Sequence, residues 1–237
     1  MNLSSILVGT SGYTYSWNKG KSNKFEWYLD QGFNSVEING SFYRFPTENW
    51  INIWSTATTR NFKFSIKVNR SITHYTRLRG NKSVNLWTRF KQSLKAIEGK
   101  ISFYLFQMPS NFKYNQENLD RLITFKKKVN LDNKAIIEFR DNSWWSKNSI
   151  AELENMKISV CSVNAPLLPK KILNLNNTIY LRLHGAKNWY NYLYSEKEIE
   201  KIMEKVENKP ANIKAIYLNN DHGMLPNGKY LLKHLLK

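Results

Sequence analysis

The feature of this sequence that most constrains its fold is a regular succession of short apolar segments. Each segment is rich in β-branched and aromatic residues and is too short for a typical helix, so each is predicted to be a strand. There are eight of them, at residues 6–9, 35–38, 62–68, 101–107, 135–139, 158–163, 178–184 and 215–219. Most of the stretches between them are long enough to hold a helix.

Helix signals lie in most of these stretches. Ser195 and Glu198 match a capping box, in which the two side chains and backbone amides satisfy each other at the start of a helix. Thr47 is a candidate N-cap for another helix. Helices are predicted at residues 25–31, 47–57, 86–97, 115–129, 195–206 and 226–236. The connection after the sixth strand, residues 165–177, is short and is not expected to form a full helix.

Strands that alternate with helices predict an α/β protein with a parallel sheet. Eight such units in 237 residues predict a single (β/α)8 TIM-type barrel over residues 1–237, with a degenerate helical connection after strand six. An open doubly wound sheet is the alternative. No glycine-rich phosphate-binding fingerprint follows the first strand, which favours the barrel.

The net charge of +18 and the isoelectric point near 9.8 indicate a polyanionic partner. Nucleic acid is the first candidate and an anionic membrane surface the second. The chain is also rich in asparagine and isoleucine, as A/T-rich coding sequences produce, and such a bias adds lysine without creating a binding face. Both explanations of the charge stay open at this point.

Several protein classes are disfavoured by features of the sequence. No apolar run is long enough to span a membrane, and the first residues lack the basic region of a signal peptide. Cys161 is the single cysteine, which excludes an intramolecular disulfide and a metal cluster made of cysteines alone. We therefore expect a cytoplasmic protein that does not associate with membranes.

Charged and polar residues occupy the ends of several predicted strands. Glu37 lies between Val36 and Ile38 in a strand that otherwise reads as core. Residues i and i+2 of a strand share a face, so in a barrel these polar side chains point to the axis. The positions in question are Glu37 with Asn39, Lys67 with Asn69, Glu138 with Arg140, Arg182 with His184, Gln107 and Asn219. They should converge at the carboxyl-end mouth, where barrel enzymes keep their active sites.

This convergence gives a hypothesis for Glu37, namely that it lines a polar, wet pocket at the mouth. Pairing of the glutamates with Lys67, Arg140 or Arg182 would offset part of the cost of burying charge. The alternative is a salt-bridge network that closes the barrel end and has no further role.

The chemistry of these residues suits an anionic ligand. Lys67, Arg140 and Arg182 can bind phosphate, sulfate or carboxylate, and arginine can bind two oxygens at once. Histidines at positions 74 and 184 could act as general acid or base. They could instead ligate a divalent metal together with the two glutamates, although no HExxH-type spacing supports a metal. The cofactor is therefore left unassigned.

Two longer inserts follow strands three and seven, at residues 69–84 and 185–194. The first carries four basic residues near His74 and Tyr75, and the second is rich in aromatic residues. Basic residues mixed with aromatics suit a phosphate backbone and stacked bases. Ordinary packing of aromatic side chains on the barrel rim is the alternative.

Seven ordered motifs carry a family resemblance. They are VGTSGYTYSW, VEINGSFYRFP, FSIKVNRSITH, FQMPSNF, IIEFRDNSWW, YLRLHG and LNNDHG. Together they resemble the domain-of-unknown-function 72 family, also called YecE-like, over essentially the whole chain. The resemblance implies a TIM-type barrel and no established activity. The similarity of such barrels to xylose-isomerase and apurinic-endonuclease types suggests nucleic acid at the mouth by analogy of fold alone.

The resemblance also implies which positions form the site. Asn164 departs from the family pattern, because members often have aspartate before a proline at that place, and a metal ligand or base there would be missing. Trp144 could stack on a base or sugar, or cap the barrel rim. We expect catalytic roles for Glu37, Glu138, His74 and His184, and substrate binding by Asn39, Tyr43, Lys67, Thr73, Gln107, Arg140, Trp144, Arg182 and Asn219.

The sequence thus favours an enzyme that binds a phosphate-bearing substrate at the mouth. Nucleic acid is the first candidate substrate, and hydrolysis of a phosphodiester, as in a nuclease, is the candidate reaction. A non-catalytic nucleic-acid-binding protein and a small-molecule enzyme acting on a sugar phosphate or another anion are the alternatives. The sequence predicts no oligomeric state.

Overall fold

The computed structural model describes residues 5–57 and 61–235. Eight parallel strands form one sheet in the order β1-β8-β7-β6-β5-β4-β3-β2. They are β1 (Ser5–Thr10), β2 (Ser35–Ile38), β3 (Lys63–Lys67), β4 (Ile101–Gln107), β5 (Ala135–Glu138), β6 (Ser159–Asn164), β7 (Thr178–Leu183) and β8 (Ile213–Leu218). The two end strands, β1 and β2, meet at a parallel bridge between Ser11 and Glu37. This contact closes the sheet into the predicted barrel.

Helices follow the strands around the outside of the barrel. They are α1 (Lys24–Leu29), α2 (Gly40–Tyr43), α3 (Glu48–Ala57), α4 (Gly80–Ser93), α5 (Gln116–Lys128), α6 (Lys147–Asn155), α7 (Glu196–Glu207) and α8 (Met224–Leu235). Residues 165–177 between β6 and β7 contain no helix, which confirms the predicted degenerate connection. No helix within residues 5–57 and 61–235 is long and apolar enough to cross a membrane.

The helix predictions differ from the structure most at four helices. The four-residue helix α2, Gly40–Tyr43, was not predicted. Helix α6 was not predicted, although Ser146 is its N-cap and accepts a hydrogen bond from the Ser149 amide at 3.1 Å. Helix α4 begins at Gly80, six residues before the predicted start at residue 86, so part of the predicted insert 69–84 is helical. Helix α8 begins two residues before Pro226, because the missing amide of proline is tolerated in a first helical turn.

The barrel interior contains hydroxyl and aromatic side chains below the mouth. Along β3, Phe64 faces the helices and stacks near Phe25, whereas Ser65 faces the axis. The Ser65 hydroxyl lies 2.6 Å from the Tyr180 hydroxyl across the barrel, and Ser35 pairs with Tyr217 at 2.7 Å in the same way. These pairs satisfy buried hydroxyls and support the charged layer above them.

Candidate functional site

Arg182, on β7, is the centre of the charged layer. Its Nη2 donates to Glu37 Oε1 and its Nη1 donates to Glu138 Oε2, each at 2.6 Å. All three side chains are fully buried. One guanidinium therefore links β2, β5 and β7 across the barrel axis, in the planar two-oxygen geometry that only arginine offers.

Glu37 has more hydrogen bonds than this one ion pair. Its Oε1 also accepts from the Ser11 hydroxyl at 2.6 Å, and its Oε2 accepts from the Tyr180 hydroxyl at 2.7 Å. The hypothesis of a wet pocket around Glu37 is thus wrong, because the carboxylate is enclosed and bonded on both oxygens. A buried charge is tolerated here by pairing and hydrogen bonding, not by solvent.

Glu138 is held between two arginines. Its Oε1 lies 2.5 Å from Arg140 Nε and 3.4 Å from His184 Nε2, and its Oε2 binds Arg182. Burial by itself would raise the pKa of Glu138, but Arg140 and Arg182 together hold that pKa well below its usual range. Glu138 is therefore ionised at neutral pH and is unsuited to donating a proton.

His184 is a buried, neutral imidazole. Its Nδ1 lies 3.0 Å from the side-chain nitrogen of Asn219, so the amide donates to this nitrogen. Burial, with a further contribution from Arg182, lowers the pKa of His184 to about 3. The ring also contacts Trp189 in the insert after β7, with centroids 5.2 Å apart. This histidine connects the charged layer to the insert.

Arg140 lies between the buried layer and the mouth. Its guanidinium carbon lies 4.6 Å from the centre of the Trp189 ring. Its two terminal nitrogens donate to Gln107 Oε1 and to the Tyr190 hydroxyl, both at 3.3 Å. Two of the predicted substrate-binding residues are thus in contact with each other.

Lys67 differs from the arginines because it has no acidic partner. Its ammonium lies 4.3 Å from the centre of the Phe42 ring, and within the described residues no carboxylate lies within 4.0 Å of it. Burial lowers the pKa of Lys67 to about 7, and the nearby Arg182 contributes in the same direction. Glu37 and Glu138 also point into the barrel, but both carboxylates are paired with arginines.

His74 is half-buried in a π-helical turn, Ser71–Tyr75, after β3. Its Nδ1 lies 2.9 Å from the Thr73 hydroxyl, and its ring meets the Phe42 ring edge to face at 4.9 Å. Burial, followed by the charge of Lys67, lowers the pKa of His74 to about 4. Both predicted histidines are therefore neutral at physiological pH, which suits a base and not an imidazolium acid.

The rim of the mouth carries exposed aromatic side chains beside a cation. Tyr43 is 66% exposed and Tyr75 is 69% exposed. The guanidinium carbon of Arg70 lies 5.6 Å from the centre of each of these rings. Every exposed large apolar side chain within residues 5–57 and 61–235 lies in a segment that follows the carboxyl end of a strand, namely Tyr43, Tyr75, Leu167, Tyr190 and Leu193.

A cavity of about 280 Å³ opens beside the charged layer, between the ends of β1 and β2. The side-chain nitrogen of Asn39 donates to the Ser11 carbonyl at 3.4 Å, while its Oδ1 is buried and has no hydrogen-bond partner among the residues that the structure describes. The lining residues are Ser11, Gly12, Tyr13, Thr14, Tyr15, Ile38, Asn39, Gly40, Trp50 and Trp54. Except for Asn39, the sequence analysis did not assign them to the site, although the first motif contains most of them.

Two predicted substrate-binding residues do not face the mouth. Trp144 is fully buried, stacks on Phe139 with centroids 4.1 Å apart, and donates its indole NH to the Phe112 carbonyl at 2.7 Å. Thr73 is also fully buried, and its hydroxyl meets His74. Trp144 therefore packs as a core residue, and the Thr73 hydroxyl contacts His74.

The acidic residues of the layer do not form a metal site. Within residues 5–57 and 61–235, no three histidine, cysteine, aspartate or glutamate side chains form a group that could hold a metal ion. Arginine nitrogens, and the Tyr180 hydroxyl at Glu37 Oε2, occupy the carboxylate oxygens that a metal would need. Asn164, at the position where aspartate was considered, accepts a hydrogen bond from the Tyr194 hydroxyl at 3.1 Å instead.

The fold and this site define a class of protein, a closed TIM-type barrel with a buried glutamate–arginine layer below a mouth rimmed by aromatic and basic residues. The family model described as "Protein of unknown function DUF72" matches residues 7–231. The chain belongs to this family, as its motifs indicated.

Known proteins resemble the chain over nearly its full length. The UPF0759 protein YunF of Bacillus subtilis is 25% identical, over 97% of this chain and 94% of that protein. The crystal structure of a DUF72 family protein from Thermotoga maritima superimposes with a TM-score of 0.83 at 23% identity, and covers 98% of this chain and 99% of that one. A more distant match, SacUVDE, has a TM-score of 0.62 at 13% identity, over 99% and 100% of the two chains, and shows the barrel fold alone.

Proposed function

We propose that the carboxyl-end mouth binds a nucleic acid, and that the protein is an enzyme acting on this substrate. The observation that carries the proposal is Arg70 between the exposed rings of Tyr43 and Tyr75. Flat aromatic faces stack on bases of any sequence, and an arginine beside them binds the phosphate backbone. This combination suits a single-stranded or unstacked segment better than an intact duplex.

The buried glutamate–arginine layer also favours an anionic ligand at the mouth. The two glutamates are neutralised by Arg182 and Arg140, so they do not repel an anion above them. Arg140 keeps its terminal nitrogens toward the mouth, where they meet neutral partners. An incoming phosphate oxygen could replace these 3.3 Å contacts with charge-assisted hydrogen bonds, which are shorter and stronger.

The overall charge of +18 supports the proposal only weakly. Lysines lie on the outer helices all around the barrel, for example Lys91 on α4, Lys147 on α6 and Lys229 on α8. A compositional bias would produce such a spread. The charges that favour the mouth as the binding site are therefore those of the arginines beside the aromatic rings.

If the reaction is hydrolysis of a phosphodiester, His74 is the best candidate for the base. It is half-buried and neutral, and it lies close to Lys67 and Arg70. The glutamates would position Arg182 and Arg140 and would not take a proton. The similarity to SacUVDE is one of fold only and does not bear on the reaction class.

Fluorescence anisotropy with labelled oligonucleotides tests the proposal. We expect single strands to bind more tightly than duplex, with affinity that falls as salt rises. Tyr75→Ala should cost about 1–3 kcal/mol of binding free energy, the usual worth of one stacked base. Arg70→Gln should make the slope of log affinity against log salt shallower, by about the amount expected for the loss of one phosphate contact.

Lys205→Gln is the matched control for lost charge, because Lys205 is exposed on α7 near the amino end of β8. It should leave the affinity nearly unchanged. Equal losses in Arg70→Gln and Lys205→Gln would show that charge alone drives binding, and would contradict a site at the mouth.

A further inference from the structure

Lys67 is the charged side chain of the site whose role the proposed function leaves open. It lies at the last position of β3 and points to the barrel axis, two residues after Ser65, whose hydroxyl reaches Tyr180 inside the barrel. It is half-buried and within reach of the mouth. Its amine packs on the face of Phe42, and no hydrogen bond or ion pair within the described residues occupies it.

A lysine that served only to hold the fold would be expected to pair with a carboxylate. Glu37 and Glu138 both lie in the same layer, but each is bonded to an arginine and to further donors. The structure therefore places an amine without a hydrogen-bond partner among the described residues beside an apolar ring and near two guanidinium groups. A lysine that is desolvated and next to other cations loses its proton readily and becomes a nucleophile.

We propose that Lys67 forms a reversible imine with the aldehyde of a phosphorylated sugar bound at the mouth. The proposal rests on the proposed function for its phosphate contacts, because the arginines of the mouth would hold the phosphate. Two sources share this chemistry, namely the ring-opened sugar of an abasic site in DNA and a free aldose phosphate. The exposed tyrosines of the rim favour the first source.

The step needs no oxidant, reductant or other co-reactant. The lone pair of the neutral amine attacks the carbonyl carbon, a C–N bond forms, and the carbonyl oxygen takes up a proton to give a carbinolamine. The nitrogen gives up two protons in all, one matching the proton taken up by the carbonyl oxygen and one matching the proton with which the hydroxyl group leaves as water. Its lone pair forms the C=N bond as the C–O bond breaks. The product is the imine, and the addition of water returns the aldehyde and the amine. Neutral His74, whose ring contacts the same Phe42 ring as the Lys67 amine, can relay protons during the exchange.

Charged and titratable groups face Lys67 from several elements. The cations Arg182 and Arg140 disfavour its ammonium form, and the carboxylates Glu138 and Glu37 partly oppose them. His74 also lies close to Lys67, and the charge of Lys67 helps to keep this imidazole neutral. Because burial and these cations lower the pKa of Lys67 to about 7, about half of the amine is neutral at physiological pH. An ordinary lysine would be protonated almost completely there.

Reductive trapping tests the imine. The protein is incubated with sodium cyanoborohydride and, in separate arms, an abasic-site oligonucleotide, glyceraldehyde 3-phosphate, or an oligonucleotide with a tetrahydrofuran abasic analogue that has no aldehyde. Peptide mass spectrometry then locates the reduced adduct. We expect an adduct on Lys67 with the abasic-site oligonucleotide and none with the tetrahydrofuran analogue.

Lys67→Arg keeps a cation at the position but cannot form an imine, and it should lower the adduct yield by at least about tenfold. Lys63→Arg is the matched control, since Lys63 is at the opposite end of the same strand and should trap as well as the wild type. Trapping by the wild type should rise with pH around a midpoint near 7. The pH profile and the position of the adduct, both measured on the wild type, test the imine even if Lys67→Arg fails to fold.

The outcomes separate this inference from the proposed function. Adducts spread evenly over surface lysines, or no Lys67 adduct in any arm, would overturn the imine. If the tetrahydrofuran oligonucleotide still bound the protein, the proposed nucleic-acid site would stand. A Lys67 adduct with glyceraldehyde 3-phosphate, without any oligonucleotide binding, would support the imine, assign it to a free sugar phosphate and overturn the nucleic-acid proposal.

Discussion

Arg182 holds the charged layer together at the scale of single residues. It is fully buried, and both carboxylates that it binds are fully buried as well. A buried ion pair adds little net stability compared with apolar packing, but the removal of one partner leaves the other charge uncompensated. The layer is therefore better explained as a device that fixes the positions of charges than as a source of stability.

Replacing Arg182 should destabilise the fold strongly. We expect Arg182→Met to lower the free energy of unfolding by about 3–5 kcal/mol, because two buried carboxylates lose their counter-charge. Urea denaturation followed by circular dichroism measures this change. Lys91→Met is the control, since Lys91 on α4 pairs with Glu98 at 3.6 Å and both side chains are more than a third exposed, so that the change should cost less than about 1 kcal/mol. Similar losses in the two variants would contradict the account.

The buried histidine makes stability depend on pH. The pKa of His184 is about 3 in the folded protein and near 6.5 when unfolded, so the unfolded chain takes up a proton first as pH falls. The contribution of neutral His184 to the free energy of unfolding is thus complete above pH 6.5. It is lost as pH falls toward 3, by on the order of 1 kcal/mol per pH unit for one proton. His74 adds to this loss in the same direction.

Denaturation midpoints measured from pH 7 to pH 5 check this prediction. His184→Asn should flatten the dependence on pH, whatever its effect on absolute stability. His222→Asn removes an exposed histidine and should leave the slope as it is in the wild type. An unchanged slope in His184→Asn would show that His184 is not held neutral by the fold.

The sequence predicted which residues meet at the mouth, but not how they pair. The i, i+2 rule places Glu37, Glu138 and Arg182 on the axis, because the periodicity of a strand fixes the face of each side chain. It does not say which cation reaches which carboxylate across the barrel, since this depends on register and on side-chain length. Hence Lys67 was expected to share in the pairing, and it does not. Tyr180 was missed, although it shares a face with Arg182.

At the scale of elements, the barrel closes where β1 approaches β2. These strands share a single bridge at Ser11 and Glu37, supported by the hydrogen bond from the Gly12 amide to the Glu37 carbonyl at 2.7 Å. Just below, a Cβ at Gly9 would lie 2.3 Å from the Ser35 carbonyl oxygen. The close backbone approach that closes the barrel therefore requires glycine at this position.

Gly9→Ala should destabilise the protein by about 1–3 kcal/mol, the usual cost of an overpacked site. The methyl group meets backbone, which cannot move aside without opening the barrel. Thermal or urea unfolding measures the loss. Gly99→Ala is the matched control, because a Cβ there meets nothing within 4 Å, and it should change stability by less than about 0.5 kcal/mol. Equal effects would exclude a special role for the close contact.

Strands were predicted better than helices. The predicted bounds of β2 and β4 agree with the structure, because continuous apolar runs mark strands that are buried on both faces. Helix α6 is short, and only Ile150 and Leu153 give it an apolar side, so its periodicity is weak. The turn after β3 forms a π-helix that packs Ile72 into the core, and tertiary contacts determine it more than local propensity does.

At the scale of the whole molecule, the two ends of the barrel differ. Exposed large apolar side chains of the described residues all follow the carboxyl ends of strands, while lysines are distributed over the outer helices. Isolated exposed apolar residues are common, but the confinement of these residues to one end, and the contact of Tyr43 and Tyr75 with Arg70, support the proposed binding surface. The sequence could not show this, because the positions are distant along the chain.

The most direct test of the central claim, that the mouth binds nucleic acid, is photo-cross-linking of the protein to a single-stranded oligonucleotide that contains 5-bromouracil. Mass spectrometry of the digested complex identifies the cross-linked residue. The account predicts adducts on Tyr43 or Tyr75, whose rings are free to stack on a base. Cross-links on aromatic residues of the outer helices, such as Tyr230 on α8, with none at the mouth, would contradict it.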